Sequence, residues 1–346
     1  MQVNQLIYLF WDVTGKCNLH CMHCRELSKQ DSNELTLKEA SNFIIEAKKL
    51  GAQFVGLLGG EPLLRKDIFE VIRFIKDKGL GVGLGTNGTL INNTLALKIK
   101  NTAVDICFIS IDGMEKTHDT IRGKGAFKKA LRGIKLLKKK KIPCGIRMTL
   151  MKGNSGDIRK VIDLAIKLDV ELSIRRVLPC GRATENQILI SPGEYKEAIE
   201  VMTDYAKKKN IRIDSLKSAG QIMLRNRDPI SFVLTGIADE IIKKYHTNKI
   251  IAGCAAGIAN CYIDNIGNVY PCASIHISGG NVRKERFTDI WLKSPIFKIL
   301  RDRDKREGKC RKCYYKYLCG GCRASALLHG GKLIGEDPYC YLDFKK

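Results

Sequence analysis

Apolar residues in the first two-thirds of the chain come in short runs. Between the runs they recur every three to four positions, so strand and helix signals alternate. Residues 5–13, QLIYLFWDV, read as a buried strand. Thr36-Leu37-Lys38-Glu39 has the form of a capping box and opens a helix to about Leu50. A strand over Ala52–Leu58 is followed by a helix over Asp67–Lys78. A third strand, Gly81–Gly85, precedes a short helix near Asn93–Lys100. Val104–Ile111 is a fourth strand with a helix over Ala126–Lys140 behind it. Pro143–Leu150 and Glu171–Val177 are strands five and six, flanking a helix over Gly156–Leu168. Ser191-Pro192-Gly193-Glu194 caps a further helix to about Lys209. This alternation predicts an α/β fold, a partial (βα)6 TIM-like barrel over residues 1–210. Residues 211–250 read as a mixed helical linker. After Gly253 the texture changes to short segments rich in glycine, with eight cysteines, and predicts a small cysteine-rich domain over 251–346.

Parallel βα architectures place their chemistry at the C-terminal ends of the strands. Cys17 follows strand one, Gly59-Gly60-Glu61-Pro62 follows strand two, and Thr86-Asn87-Gly88 follows strand three. Ser110-Ile111-Asp112-Gly113 ends strand four. Four such turns on one face predict a ligand site, although each alone would be an ordinary turn.

Composition narrows the class. With 346 residues and 44% hydrophobic content, the chain is long enough for a barrel and a smaller domain. It contains no apolar run of about 18 residues, which speaks against a spanning helix. The start, MQVNQLIYLFWDVTGKC, lacks a basic leader and a small-residue cleavage site, so the expected location is cytoplasmic. Fourteen cysteines would suit disulfides in a small secreted domain. In a long Lys-rich chain, clustered C-x2-C pairs point instead to metal or iron–sulfur ligation. The net charge of +24 falls to about +19 if three clusters form on eleven thiolates. Such an excess suits an acidic electron donor, a carboxylate-rich substrate or simply a solvated Lys-rich surface. No aromatic-interleaved basic motif points to nucleic acid.

The most specific stretch is residues 14–26, TGKCNLHCMHCRE, with Cys17, Cys21 and Cys24 spaced C-x3-C-x2-C. Three thiolates can hold three irons of a cubane and leave the fourth iron open to a chelating ligand. This spacing, after a strand, resembles the radical S-adenosylmethionine (SAM) superfamily, and the resemblance covers nearly the whole chain. It implies a [4Fe–4S] cluster on the three cysteines, with its open iron chelated by the amine and carboxylate of SAM. It implies that Gly59 and Gly60 let the backbone approach closely and that Glu61 accepts from the methionine ammonium. Asn87, Ser110, Asp112 and Arg122 are then cofactor-binding residues, with Ser110 and Asp112 at the ribose or the methionine carboxylate. Arg122, in His118-Asp119-x-x-Arg122-Gly123, pairs with a carboxylate of ligand or protein. His23 stands where the backbone borders the adenine. By the same resemblance the cofactor yields a 5′-deoxyadenosyl radical that abstracts hydrogen from an unactivated C–H bond.

The remaining clustered cysteines run Cys254-x6-Cys261-x10-Cys272 and Cys310-x2-Cys313-x5-Cys319-x2-Cys322-x17-Cys340, with Gly267 five positions before Cys272. They resemble the SPASM extension, which implies two auxiliary [4Fe–4S] clusters. Cys254, Cys261, Cys272 and Cys322 would hold the first, and Cys310, Cys313, Cys319 and Cys340 the second. The two-residue gap between Cys319 and Cys322, where three is common, leaves the partition open. A pair of zinc ribbons is the alternative. Cys107 and Cys144 lie inside predicted strands and read as core residues, whereas Cys180 falls at the active face.

Arg147 on strand five and Arg175 and Arg176 on strand six point to the same end of the barrel. Those facing inward need anionic partners. GNVRKERFTDIW, CGGCRA and GEDPYC resemble the subgroup of haem d1 and alternative-haem enzymes and of mycofactocin and pyrroloquinoline-quinone maturases. Sulfatase maturases carry an Asp base after the third auxiliary cysteine, where Ala273 stands here. The expected activity is oxidative modification of a carboxylate-bearing tetrapyrrole or ribosomal peptide. Auxiliary clusters would take up the electron, and a ferredoxin or flavodoxin would supply one. A cofactor maturase acting on a protein or peptide partner, and a non-catalytic iron–sulfur carrier or scaffold, are the competing readings.

Overall fold

The structure is a computed structural model that describes residues 5–25, 33–213, 223–226, 228–249 and 252–342. Its strands are β1 (Tyr8–Asp12), β2 (Phe54–Leu58), β3 (Gly81–Thr86), β4 (Ile106–Ser110), β5 (Cys144–Leu150) and β6 (Glu171–Arg176). They continue with β7 (Arg212–Ile213), β8 (Met223–Asn226), β9 (Asn260–Ile263), β10 (Asn268–Tyr270) and β11 (Gly280–Asn281). All belong to one sheet, ordered β11-β10-β9-β1-β2-β3-β4-β5-β6-β8-β7. Pairing is parallel from β9 through β1 to β7, and antiparallel within β9-β10-β11.

The helices that cover this sheet start where their sequences demand. Thr36 caps α1 (Leu37–Lys49) in a reciprocal box with Glu39, which satisfies two otherwise orphan N–H groups. Helices α2 (Ile68–Asp77), α3 (Asn93–Lys100), α4 (Glu115–Arg122), α5 (Ala126–Lys139) and α6 (Ile158–Leu168) follow. After the short α7 (Arg182–Glu185), Ser191 and Glu194 form a second capping box on α8 (Pro192–Lys208). Each long helix buries an apolar stripe, such as Val71, Ile72 and Ile75 of α2 or Val161, Ile162 and Ala165 of α6. These meet the outer faces of the strands, Leu9 and Trp11 of β1 or Ile146 and Met148 of β5, in one continuous core.

Strand alternation sends the other residues to the inner face. Phe10 lies flat over Gly56, and Phe108 packs on Gly145, so rings occupy the space their glycine neighbours vacate. Arg147 is on this face too, its guanidinium 4.8 Å from the Phe108 ring centroid.

The expected helical linker differs. Residues 223–226 are a strand beside β6, and 212–213 pair with it, before helices Ser231–Leu234 and Ile237–Tyr245. Positions 214–222, 227 and 250 of that stretch lie outside the described residues. Within the C-terminal part, β9 pairs with β1, in the register Leu9↔Cys261, and so covers what would be an open strand edge. No helix among the described residues is long and apolar enough to cross a membrane.

Candidate active site

The loop after β1 carries Cys17, Cys21 and Cys24, all free thiols, with Cys21 buried and the other two half-buried. The loop is held by its surroundings. Gly60 N–H donates to Thr14 O at 2.8 Å and Glu61 N–H to Lys16 O at 2.7 Å. A Cβ on Gly60 would stand 2.2 Å from Lys16 O, and one on Gly59, whose φ is +133°, 2.4 Å from Thr14 O. The glycines therefore admit the cysteine loop itself against β2. On the other side Arg182 donates through Nε to Cys21 O at 2.9 Å and through its amide to Cys24 O at 3.0 Å. Asn186 Nδ2 donates to Met22 O at 2.9 Å. Glu34 accepts from Thr14 Oγ1 at 2.7 Å and Gly15 N–H at 2.8 Å.

Charge is arranged around the thiols. Burial pushes Cys17 and Cys21 upward, and the Arg122 guanidinium pulls both back toward the thiolate. Arg122 Nη1 is 3.7 Å from Cys21 Sγ, its Nη2 3.2 Å from His23 Nε2, and its Nε 2.5 Å from Asp112 Oδ2. Burial lowers His23 to about 4, so the ring is neutral and accepts from Arg122. Burial would raise Asp112, yet the Arg122 guanidinium, helped by the Thr149 amide, holds it at about 2.

Asp112 also accepts from Thr149 N–H at 2.8 Å and is fully buried. Expected at the ribose or the methionine carboxylate, it already accepts from Arg122 and from the Thr149 amide within the protein. Arg122 is thus the inner member of a protein ion pair. Ser110 is half-buried at the end of β4, in register with Arg147.

Glu61 is fully buried. It accepts from Thr86 Oγ1 at 2.7 Å, Asn87 N–H at 2.8 Å and Leu63 N–H at 3.2 Å. Burial raises it against those donors. Three donors leave part of its acceptor capacity for a cation. Asn87 Nδ2 donates to Asn18 Oδ1 at 2.9 Å, which ties the β3 turn to the residue after Cys17.

The C-terminal cysteines fall into two neighbourhoods. Cys310, Cys313, Cys319 and Cys340 line one cavity. Cys254, Cys272 and Cys322 stand close enough for the Cys254 charge to act on both others. Cys261 stands apart in β9, fully buried, with Arg301 as the charged group acting on it. Among the described residues no three His, Cys, Asp or Glu side chains already converge on the position of a single ion. Cys107 and Cys144 are core residues, and buried Cys180 bonds Ser274 beside Cys272.

Several residues around Arg176 and the auxiliary cysteines carried no sequence signal. Arg176 is buried between Asp228 and Asp337, each at 2.9 Å, and under the Tyr339 ring at 4.0 Å. Asp337 also accepts from Cys322 N–H at 2.8 Å. Arg303 donates to Ala252 O and Cys254 O at 2.8 and 2.7 Å, and Arg323 to Gly335 O at 2.6 Å. Asp12 accepts from Tyr262 and lies 3.9 Å from Arg25.

A family model described as the radical SAM superfamily matches residues 11–165, and one described as an iron–sulfur cluster-binding domain (SPASM) matches 254–314. An AdoMet-dependent heme synthase of Methanosarcina barkeri is 36% identical over 95% of both chains. A mycofactocin maturase of Mycobacterium tuberculosis is 30% identical over 96% of this chain and 82% of its own. The structure of SAM-bound SuiB from Streptococcus suis superposes with a TM-score of 0.78 at 18% identity, covering 98% of this chain and 78% of that one. AdoMet-bound anSMEcpe gives 0.73 at 20% identity, over 96% and 94% of the two chains. These two likenesses concern the fold. Three thiols on a pinned loop, a guanidinium against one of them and seven further thiols in two groups fit SAM, a three-cysteine [4Fe–4S] cluster and auxiliary iron–sulfur clusters. The chain belongs to the radical SAM superfamily, in the branch that carries a C-terminal SPASM domain.

Proposed function

We propose that this radical SAM enzyme oxidatively decarboxylates propionate side chains of a tetrapyrrole, the activity class to which the name heme synthase of its 36%-identical relative belongs. The observation that carries the reading is the positive charge lying between the two iron–sulfur regions. Arg175 acts on His23 at one end and Cys272 at the other. Arg25, next to Cys24, acts on Cys272, Cys180 and exposed His276. Arg147 stands on the neighbouring strand of the same inner face, in the register Thr149↔Arg175. Guanidinium groups on this face suit a substrate presenting several carboxylates.

The bound cluster and SAM supply a 5′-deoxyadenosyl radical. The protein's part is to hold and to exclude. Arg122 and the glycine turn keep the cysteine loop in place, Glu61 offers its remaining acceptor position to an ammonium, and Arg25 and Arg175 orient a propionate. Removal of one hydrogen atom from the carbon β to that carboxylate lets the C–C bond to the carboxylate break. CO2 leaves, a vinyl group forms and one electron is released. An auxiliary cluster on the C-terminal cysteines would accept that electron. With a formal charge of +24, the docking partner that supplies electrons is an acidic ferredoxin or flavodoxin. A peptide carboxylate is the second reading, favoured by the 30%-identical mycofactocin maturase.

The test is anaerobic incubation of the reduced enzyme with SAM and an iron tetrapyrrole bearing four propionates, such as Fe-coproporphyrin III. Mass spectrometry should show loss of the elements of formic acid per side chain, with one 5′-deoxyadenosine formed per vinyl. An unchanged tetrapyrrole beside uncoupled SAM cleavage refutes the substrate assignment.

A further inference from the structure

We infer that Cys261 is not an iron ligand, and that the first auxiliary cluster is held by three thiolates, Cys254, Cys272 and Cys322. The cysteine spacing alone groups Cys261 with those three, but strand geometry separates it from them. Residues 260–263 form β9, paired in parallel with β1 and antiparallel with β10. Both edges are occupied, so the register cannot drift. Within the strand, side chains alternate between faces. Tyr262 takes the inner face, where it donates to Asp12 and its ring lies 5.4 Å from the Arg25 guanidinium carbon. Cys261 therefore takes the outer face. It is fully buried in the apolar core, whereas Cys254, Cys272 and Cys322 are half-buried at the edge of the same core.

Cys254 and Cys322 are each fixed by a bond from their own amide. Cys254 N–H donates to Cys319 O at 3.0 Å, and a Cβ on Gly253 would stand 2.3 Å from that oxygen. Cys322 N–H is bound to Asp337, which Arg176 anchors to β6. Bringing Cys261 to the same group would need a one-residue slip of β9. That slip would put Tyr262 into the helix layer and withdraw its hydroxyl from Asp12. With Cys261 on the outer face, the fourth position of a cluster on Cys254, Cys272 and Cys322 would fall to a small oxygen or nitrogen donor. The inference concerns the ligand set and stands whether or not the tetrapyrrole reading does.

Two measurements test it. Iron and sulfide are counted in anaerobically reconstituted wild type, Cys261→Ala and Cys272→Ala, with thermal unfolding recorded for each. Cys261→Ala is expected to keep about twelve irons, whereas Cys272→Ala loses about four. A loss in Cys261→Ala equal to that in Cys272→Ala, at an unchanged melting temperature, overturns the inference. The second measurement leaves Cys261 intact. In 57Fe-loaded Cys17→Ala/Cys21→Ala/Cys24→Ala protein, added cyanide should shift about one iron in eight in the Mössbauer spectrum. A spectrum indifferent to cyanide means a complete thiolate set and also overturns it.

Discussion

Replacing Gly60 by Ala tests the idea that the turn after β2 shapes the cysteine loop. The new Cβ would lie 2.2 Å from Lys16 O, 2.6 Å from Lys16 C and 2.8 Å from Gly15 O, whereas ordinary contact begins near 3.4 Å. All three atoms are backbone, so no side chain can swing away. The loop must retreat by about 1 Å, which is the overlap divided between stiff neighbours. That retreat stretches the Gly60–Thr14 and Glu61–Lys16 bonds of 2.8 and 2.7 Å, one residue from Cys17. Overpacking of this kind costs about 1–3 kcal/mol of stability. A misplacement of 1 Å in reacting groups costs roughly 10²-fold in rate. The expected outcome for Gly60→Ala is a folded protein that retains auxiliary iron but forms 5′-deoxyadenosine about a hundredfold more slowly. Gly156→Ala, where a Cβ meets nothing within 4 Å, is the control and should behave as wild type. The assay is anaerobic reconstitution, iron quantitation and chromatographic measurement of 5′-deoxyadenosine. Wild-type cleavage by Gly60→Ala would refute the steric reasoning.

Other consequences follow from the same geometry. Arg176→Met leaves Asp228 and Asp337 buried without their cation. It should destabilise the protein by about 3–5 kcal/mol and release auxiliary iron before the three-cysteine site is affected, as read by the urea midpoint and iron content. Arg175→Met should preserve SAM cleavage without substrate but uncouple it from tetrapyrrole decarboxylation, seen as a rise in 5′-deoxyadenosine formed per vinyl. His118 accepts from Asp112 N–H at 3.0 Å, and burial holds it at about 4, below its ordinary 6.5. The unfolded chain therefore takes up the proton first. Stability falls as pH drops below 6.5, by about 2 kcal/mol between pH 7 and 5. His118→Gln, which keeps an acceptor, should flatten that slope in paired urea titrations; an equal slope in both proteins would refute it.

The barrel strands were legible because each is a short apolar run backed by an amphipathic helix, as in Phe54–Leu58 and α2. Both capping boxes were legible because their partners are three residues apart. The polar helix α4 was missed, since only His118 and Ile121 are buried in it. Strands β7 and β8 are two and four residues long and carry no usable alternation. The three-cysteine loop could be found from spacing, but its supports could not. Arg182 and Asn186 reach it from more than 160 residues away. Arg176 was one of three arginines of which those facing inward were expected to need anions, while Asp228 and Asp337 could be paired with it only through the folded chain. For Cys261 a signal was present in Asn260-Cys261-Tyr262-Ile263, whose alternation sets Cys261 on the face of Ile263.

Whether Cys17, Cys21 and Cys24 hold the site that cleaves SAM is measured most directly with the reconstituted, dithionite-reduced protein and SAM alone. Wild type should release 5′-deoxyadenosine and methionine in equal amounts, and Cys21→Ala neither. Cleavage that survives in Cys21→Ala, or that is missing from wild type carrying its full complement of iron and sulfide, would contradict the assignment.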